Sequence, residues 1–206
     1  MTLVVARAAG LCTIQDLGRR GHMHEAVPPG GALVPELLVT ANRAVDNADA
    51  APAVEVLGRL VVRATSAAVV ATDRTMPCRL RPGEELAIAS EPLRCTYLAV
   101  AGGIAAPRVL DGYGTLLAAG LGAPLRAHDV LAVGPRAAPA ETRALAPFQP
   151  RDVIHVIPGP DLDAFAPEAL ARLVAAPYRI LPTSDRVGTR LAGEPLPRVA
   201  GYRERS

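Results

Sequence analysis

The first 133 residues are short apolar runs cut by Gly, Pro and Asp, with room for one convincing helix. Runs that short, bounded by turn formers, are how β-barrels and compact α+β domains are written. Strands are expected at 2–6, 54–63, 67–72, 78–81, 85–89, 96–101 and 130–133. The helix is expected at 35–46, opened by Pro35, with Leu37, Leu38, Ala41, Ala44 and Val45 recurring at helical spacing and Asp46 and Asn47 as a cap.

Residues 134–150 carry Pro135, Pro139, Pro147 and Pro150 among alanines, a composition that cannot pack a core and suits a semi-rigid connector. A domain boundary is expected there, between an N-terminal β-rich domain over 1–133 and a second domain over 151–206. The second domain reads as strand 153–157, a mainly helical 161–176 with Phe165, Leu170, Leu173 and Val174 inward, and strand 178–181. One strand, helix, strand unit is marginal as a free-standing fold, so this domain is expected to be incomplete or completed by a partner.

Composition then narrows the function. The 22 basic residues are all arginine, because the chain has no lysine. A phosphate-binding P-loop, a Schiff-base enzyme and a biotin carrier each need a lysine, so none of these is this chain. A net charge of +2 with 3% aromatic residues gives no basic stripe and no stacking platform, which argues against nucleic acid. No uncharged stretch reaches the ~18 residues of a membrane span, and no charged segment followed by an apolar core opens the chain, so no signal peptide is expected. The 3 cysteines, Cys12, Cys78 and Cys95, have no C-x-x-C spacing and fit a reduced cytoplasmic compartment rather than a disulfide or zinc framework.

The stretch 11–32, LCTIQDLGRRGHMHEAVPPGGA, crowds Gln15, Asp16, Arg19, Arg20, His22, His24 and Glu25 into a region rich in Gly and Pro. Functional groups concentrate on loops held by a rigid scaffold, although an exposed loop with ordinary polar residues is the commoner case. His22 and His24 share a face only if extended, and without a third ligand no metal centre is expected. The PPGG of 28–31 is either an anion-binding nest or a plain turn. At 183–193, TSDRVGTRLAG places Ser184, Asp185, Arg186 and Arg190 after a strand, as a bidentate anion site or a surface ion pair. Glu55 on an apolar strand is either an acid at the mouth of a cleft or a solvent-face residue. No G-x-S-x-G supports a serine nucleophile.

Taken in order, TIQDLGR at 13–19, VPPGGAL at 27–33, Ala41 and Asn42 leading to Asn47, Glu55, YLAVAGGI at 97–104, PGP at 158–160 and SDRVGTRLAG at 184–193 resemble one family. It is the carboxyltransferase-like family of allophanate hydrolase subunit 2, which includes the C subunit of bacterial ATP-dependent 5-oxoprolinase. The resemblance implies a cyclophilin-like β-barrel domain followed by a second, here incomplete, barrel-like domain. It also implies a heteromeric complex with a sister subunit of the 5-oxoprolinase B type and a third of the A type, and ATP with Mg²⁺ as cofactor, with no covalent cofactor on this chain.

Under that resemblance, Gln15, Asp16, Glu55, Asp185 and Arg186 are the candidate catalytic residues. Arg19, Gly30, Gly31, Asn42, Ser184 and Arg190 are candidates for binding substrate or nucleotide. The family includes a biotin-dependent carboxyltransferase branch in urea amidolyase and a member that binds a kinase inhibitor, so non-catalytic binding and carboxyl transfer stay open beside amide hydrolysis. The chain also departs from the family pattern. Gly30 stands where a serine is usual and Val34 where an aspartate is usual, and the usual S-R-S-T is Gly112, Tyr113, Gly114 and Thr115. The following glycine-rich segment is shortened to 120–124, and the D-R-Q-T-T-G-G-Y type motif is not found.

Overall fold

The structure is a computed structural model and describes residues 2–92, 94–135, 153–184 and 188–201. The chain divides into two compact units, Met1–Phe148 and Gln149–Ser206. Most of the proline-rich connector, 136–150, lies outside the described residues.

The first unit is organised by two long strands. β1 (Thr2–Gln15) and β2 (Ala53–Ala64) run antiparallel along their whole length, from Leu3 opposite Ala64 to Gln15 opposite Ala53. The other strands are β3 (Ala68–Thr72), β4 (Cys78–Leu80), β5 (Glu85–Ala89), β6 (Thr96–Val100) and β7 (Val130–Ala132). Together they form one seven-stranded antiparallel sheet in the order β4-β3-β6-β2-β1-β7, with β5 also on β2. β6 pairs with Val54–Val56 and β5 with Arg59–Arg63, so the two halves of β2 serve different neighbours. The fold is mainly β, as expected, but the described strands do not close into the expected barrel.

The change of neighbours happens where Gly10 faces Gly58. Their φ angles are +85° and +129°, and a Cβ on either would stand 2.3 Å from a carbonyl oxygen across the ladder, Leu57 O or Ala9 O. Only glycine permits that approach, so β1 passes through Gly10 and bends rather than stopping near Ala6 as the sequence suggested. The extension converts 11–15, read as loop, into strand, and carries Thr13 and Gln15 into the interior.

One core lies under this bent ribbon, with Leu3, Val5, Val54, Val56, Leu60 and Leu98 fully buried. The second is covered by α1 (Pro35–Ala44), whose Leu38 and Ala41, with Val45 just beyond it, pack with Tyr97 and Ala99. β6 is buried on both faces because alternate residues feed the two cores. α1 starts on Pro35, as expected, and stops at Ala44; Asp46 then takes a left-handed φ of +56°. The turn is held by Asn47, whose Nδ2 donates to Val100 O at 2.8 Å and whose Oδ1 accepts from the Gly102 N–H at 2.8 Å.

The second unit differs more from its expectation. Residues 153–157 form no ladder; Ile154 is 84% and Ile157 91% exposed, because no described strand lies beside them. The expected single helix at 161–176 is split into a 3-10 turn at Leu162–Ala164 and α2 at Ala169–Ala175. Pro167 explains the break, since it disfavours helical geometry just before it and offers no N–H to a helix running through. Phe165, where the 3-10 turn ends, is already extended, with φ −118° and ψ 151°. The buried residues here are Ala164 and Ala169, while Leu170 and Val174, expected inward, are exposed. A two-stranded ribbon, β8 (Arg179–Ile180) with β9 (Leu191–Ala192), completes the unit. No described helix is long and apolar enough to cross a membrane.

If the glycine pair sets the bend, Gly58→Ala is expected to lower stability by more than about 2 kcal/mol. A Val56→Ala control should remove apolar packing without touching the bend. Urea unfolding of both checks this, and a Gly58→Ala protein as stable as the parent would mean the ribbon tolerates a side chain there.

Candidate functional site

At the end of β1 the chain enters a junction of three loops. Gln15 is fully buried, and its Nε2 donates to Thr13 Oγ1 and to Thr115 O, both at 3.0 Å. The carbonyl of Thr115 requires a donor, so the amide orientation follows from the network. Gln15 Oε1, turned toward Gly114, has no hydrogen-bond partner. Asp16 then closes the first turn: Oδ1 accepts from the Gly18 N–H at 2.8 Å and Oδ2 from the Tyr113 N–H at 2.7 Å. One carboxylate thus ties its own loop to the loop at 109–116.

The third segment of the junction is the VPPGGAL loop. The Arg19 N–H donates to Pro29 O and the Ala32 N–H to Asp16 O, each at 2.8 Å. Between these bonds Gly18 and Gly31 meet backbone to backbone. A Cβ on Gly31 would lie 2.7 Å from Gly18 N, and one on Gly18 would lie 2.7 Å from Pro29 O. Both have φ near +85°, at +84° and +88°, so these glycines answer to two separate demands, conformation and space.

Arg19 fills the centre and is 2% exposed. Its Nε donates to Val109 O at 3.3 Å and its Nη2 to Gly114 O, while Nη1 has no hydrogen-bond partner. No described carboxylate lies within ion-pair distance of it. Glycines line its walls: a Cβ on Gly112 would stand 3.2 Å from Arg19 Nε, and one on Gly30 3.3 Å from Nη1. A Cβ on Gly114 would stand 2.8 Å from both Gln15 Oε1 and Asp16 Oδ1. The glycines at 30, 112 and 114 are therefore packed against Gln15, Asp16 and Arg19.

Glu55 works from the β2 side. It is fully buried, and its Oε2 accepts from the Leu33 N–H at 2.8 Å and the Tyr97 hydroxyl at 2.7 Å. The Tyr97 oxygen in turn accepts from the Val34 N–H at 3.0 Å and, at 3.7 Å, from the Cys95 thiol. Burial first, and then the Glu55 charge, push the Tyr97 phenol far above its usual range, so it stays a donor to the carboxylate. Glu55 is neither at a cleft mouth nor on a solvent face; it anchors the far end of the 27–34 loop.

The structure thus gathers Gln15, Asp16, Arg19, Gly30 and Gly31, with Glu55 holding the adjoining backbone. Asn42 serves elsewhere, since its Nδ2 donates to Ala51 O at 2.8 Å and its Oδ1 accepts from Asn47, fastening the turn after α1. Ser184 and Arg190 belong to the second unit, where Ser184 Oγ accepts from the Arg190 N–H at 2.8 Å. Asp185 and Arg186 lie outside the described residues. His22 pairs with Glu25 at 2.6 Å, and among the described residues no group of three or more His, Cys, Asp or Glu could hold a metal. Sequence reasoning missed Tyr97, Tyr113 and Thr115 as contributors. Tyr97 stood in the YLAVAGGI motif, but the other two offer only backbone groups, which leave no trace in side-chain chemistry.

The Glu55–Tyr97 pair is expected to couple. Glu55→Gln should cost about 1–3 kcal/mol by weakening two buried hydrogen bonds to a charged acceptor, and Tyr97→Phe about 1 kcal/mol or more. The double variant should lose less than the sum, as measured by chemical unfolding, because the two share one bond. The cysteines separate as well. Burial pushes the Cys12 thiol up to about 11 and raises Cys95, whereas Cys78 is exposed. A disulfide-exchange reagent at pH 8 should find one fast thiol in the native protein and all three after unfolding. Because unfolded Cys12 ionises near 9 while the folded thiol keeps its proton to about 11, stability should fall as pH rises from 9 toward 11.

Comparison with known proteins places this arrangement. Residues 25–204 match the carboxyltransferase domain, subdomains A and B. The C subunit of 5-oxoprolinase from Escherichia coli K12 is 30% identical across 96% of this chain and 70% of its own length. The urea amidolyase of Lachancea kluyveri is 28% identical across 91% of this chain, which spans 12% of that protein. Among solved structures, TTHA0988 superposes with a TM-score of 0.76 at 27% identity, covering 96% of this chain and 80% of that one. The Kluyveromyces lactis urea amidolyase shares the fold with a TM-score of 0.73 at 22% identity, covering 96% of this chain and 14% of that one. With most of its length matched by the family model and a relative 30% identical, this chain belongs to the carboxyltransferase-domain family, subdomains A and B.

Proposed function

We propose that the chain is a subunit of an ATP-dependent amidohydrolase of the 5-oxoprolinase type, acting on a cyclic amide together with a sister subunit of the B type and a third of the A type. The observation that supports this reading most is the loop junction, in which Gln15, Asp16 and Arg19 are all kept and organised in a chain 30% identical to the C subunit of a 5-oxoprolinase. A cytoplasmic bacterial setting fits such a complex.

Amide resonance makes uncatalysed ring opening slow, and ATP would supply the activation in the assembled complex. The described residues do not fit a Mg²⁺-nucleotide site. They hold no cluster of metal ligands, and the one buried guanidinium has a single nitrogen left to donate. The rest of the assembled complex would therefore have to complete any site for the nucleotide. Asp16 and Glu55 accept backbone N–H groups and shape the loops. The acid or base role is accordingly given to Asp185, and neutralisation of anionic charge to Arg186.

A second reading, a non-catalytic member that binds a partner, is favoured by the glycines. A side chain at 114 would press on Gln15 Oε1 and Asp16 Oδ1 at 2.8 Å and one at 112 on Arg19 at 3.1 Å, so glycine at both lets these three side chains pack as they do. Biotin-dependent carboxyl transfer ranks below both, since these 206 residues hold no lysine to carry a biotinyl group.

Co-expression with the sister subunits, followed by assay of ATP turnover with and without 5-oxoproline, decides between them. Turnover that needs all components and disappears in Arg186→Ala, with the complex intact, is the expected result. A stable complex without turnover would establish the binding reading instead.

A further inference from the structure

The β5 strand lies off the main path of the sheet, and among the described strands it pairs with β2 alone. Which backbone groups that pairing uses follows from the register. The Ser90 N–H donates to Gly58 O and the Ala64 N–H to Glu84 O, so Ser90–Gly58 and Glu84–Ala64 are hydrogen-bonded pairs. By the alternation of an antiparallel ladder, so are Ile88–Leu60 and Leu86–Val62. The N–H and C=O of Glu85, Ala87 and Ala89 therefore point away from β2, to a side on which no described strand lies. Both alanines are exposed. A cleft of about 430 Å³ follows this edge. It touches four consecutive residues, Leu86 to Ala89, which belong to both faces of the strand, and an edge presents both faces at once. Its other wall includes Thr72 at the end of β3 and Cys78 at the start of β4.

We propose that this cleft binds an extended peptide segment of a partner protein, added antiparallel to β5 as a further strand. Unpaired edge groups call for another backbone, because a strand supplies N–H and C=O at the matching spacing. β5 carries no proline and its register no bulge, two devices that ordinarily blunt an edge. The volume lies within the roughly 300–1,000 Å³ of small-ligand pockets, and a cleft walled on its far side by β3 and β4 admits one strand rather than the packed sheet of a second copy. The register then fixes the chemistry of the occupant. Side chains opposite Leu86 and Ile88 share the face on which Ile88 is buried in the core and Leu86 packs against it, so they are apolar. The side chain opposite the exposed Glu85 is basic, and those opposite Ala87 and Ala89 face outward and can be polar. The inference goes beyond the proposed activity and holds whether the chain is an enzyme subunit or a binding protein.

The probe is the pentapeptide acetyl-Thr-Val-Thr-Val-Arg amide, which in that register sets its valines opposite Ile88 and Leu86 and its arginine opposite Glu85. In the full chain, amide exchange followed by NMR should be fast at Ala87 and Ala89 and slow at Leu86 and Ile88. Peptide at millimolar concentration should slow exchange at both alanines in a saturable way. Reaction of Cys78 with a disulfide-exchange reagent should slow in parallel, because that exposed thiol lies on the opposite wall. Ala87→Pro removes an N–H that β2 does not use, so the fold should hold while the peptide binds at least about fivefold more weakly. N-methylation of the peptide's middle threonine removes the matching donor without altering the protein and should weaken binding as much. Alanine amides unchanged by peptide, a folded Ala87→Pro chain that binds it undiminished, or an N-methylated peptide as good as its parent would each overturn the proposal. So would a sedimentation dimer that Ala87→Pro abolishes, since a second copy would then own this edge. Loss of 5-oxoproline turnover in the assembled complex would bear on the enzyme reading and leave this one standing.

Discussion

Two backbones touching at Gly18 and Gly31 set the geometry of the whole junction. Neither position has room for a Cβ, and both have a left-handed φ, so the TIQDLGR and VPPGGAL segments can lie against each other only as glycine on glycine. That contact brings the Arg19 N–H to Pro29 O and the Ala32 N–H to Asp16 O. With those bonds made, the Arg19 side chain lies buried and donates to the carbonyls of Val109 and Gly114 in the loop at 109–116. Asp16 and Glu55 fasten this arrangement from opposite sides, each by accepting backbone N–H groups from a loop distant in sequence.

This organisation changes what the acidic residues mean. Buried carboxylates on a β-rich scaffold invite a catalytic reading, yet at Asp16 and Glu55 the hydrogen bonds run to main chain and to Tyr97. A carboxylate that holds two N–H groups, or one N–H and a phenol, rigidifies the loop that carries it. The same logic applies to the glycines at 30, 112 and 114. They are the inner wall against which the Gln15, Asp16 and Arg19 side chains lie, so the missing Cβ atoms and the buried arginine belong to one packing solution.

Much of the first unit was legible because period-two alternation and turn residues act locally. The strands at 54–63, 67–72, 85–89 and 96–101 were placed to within a residue or so, and Pro35 marked the start of α1. The first strand reads as ending at Ala6, and only the register of Gly10 against Gly58 shows that it runs on through a bend. The second unit failed for a related reason. Residues 153–157 have the composition of a buried strand, but a strand exists only when a neighbour supplies its ladder, and composition does not report whether one is present. Pro167 lies inside the span read as one mainly helical segment, and the break falls beside it.

The sequence by itself determined the mainly β character, the exclusion of lysine-dependent chemistry, the family, and the two motif segments as the place to look. Each of these depends on residue identity or on spacing within a short window. Tertiary structure alone decided that Gln15 belongs to a strand, that Asp16 and Glu55 serve backbone rather than solvent, and that Arg19 is buried without a carboxylate beside it. Those outcomes turn on partners as far away as Tyr97, Val109 and Gly114, and on main-chain N–H and C=O groups that every residue shares. Main-chain partners are set by register and loop crossing, which exist only once the chain has folded.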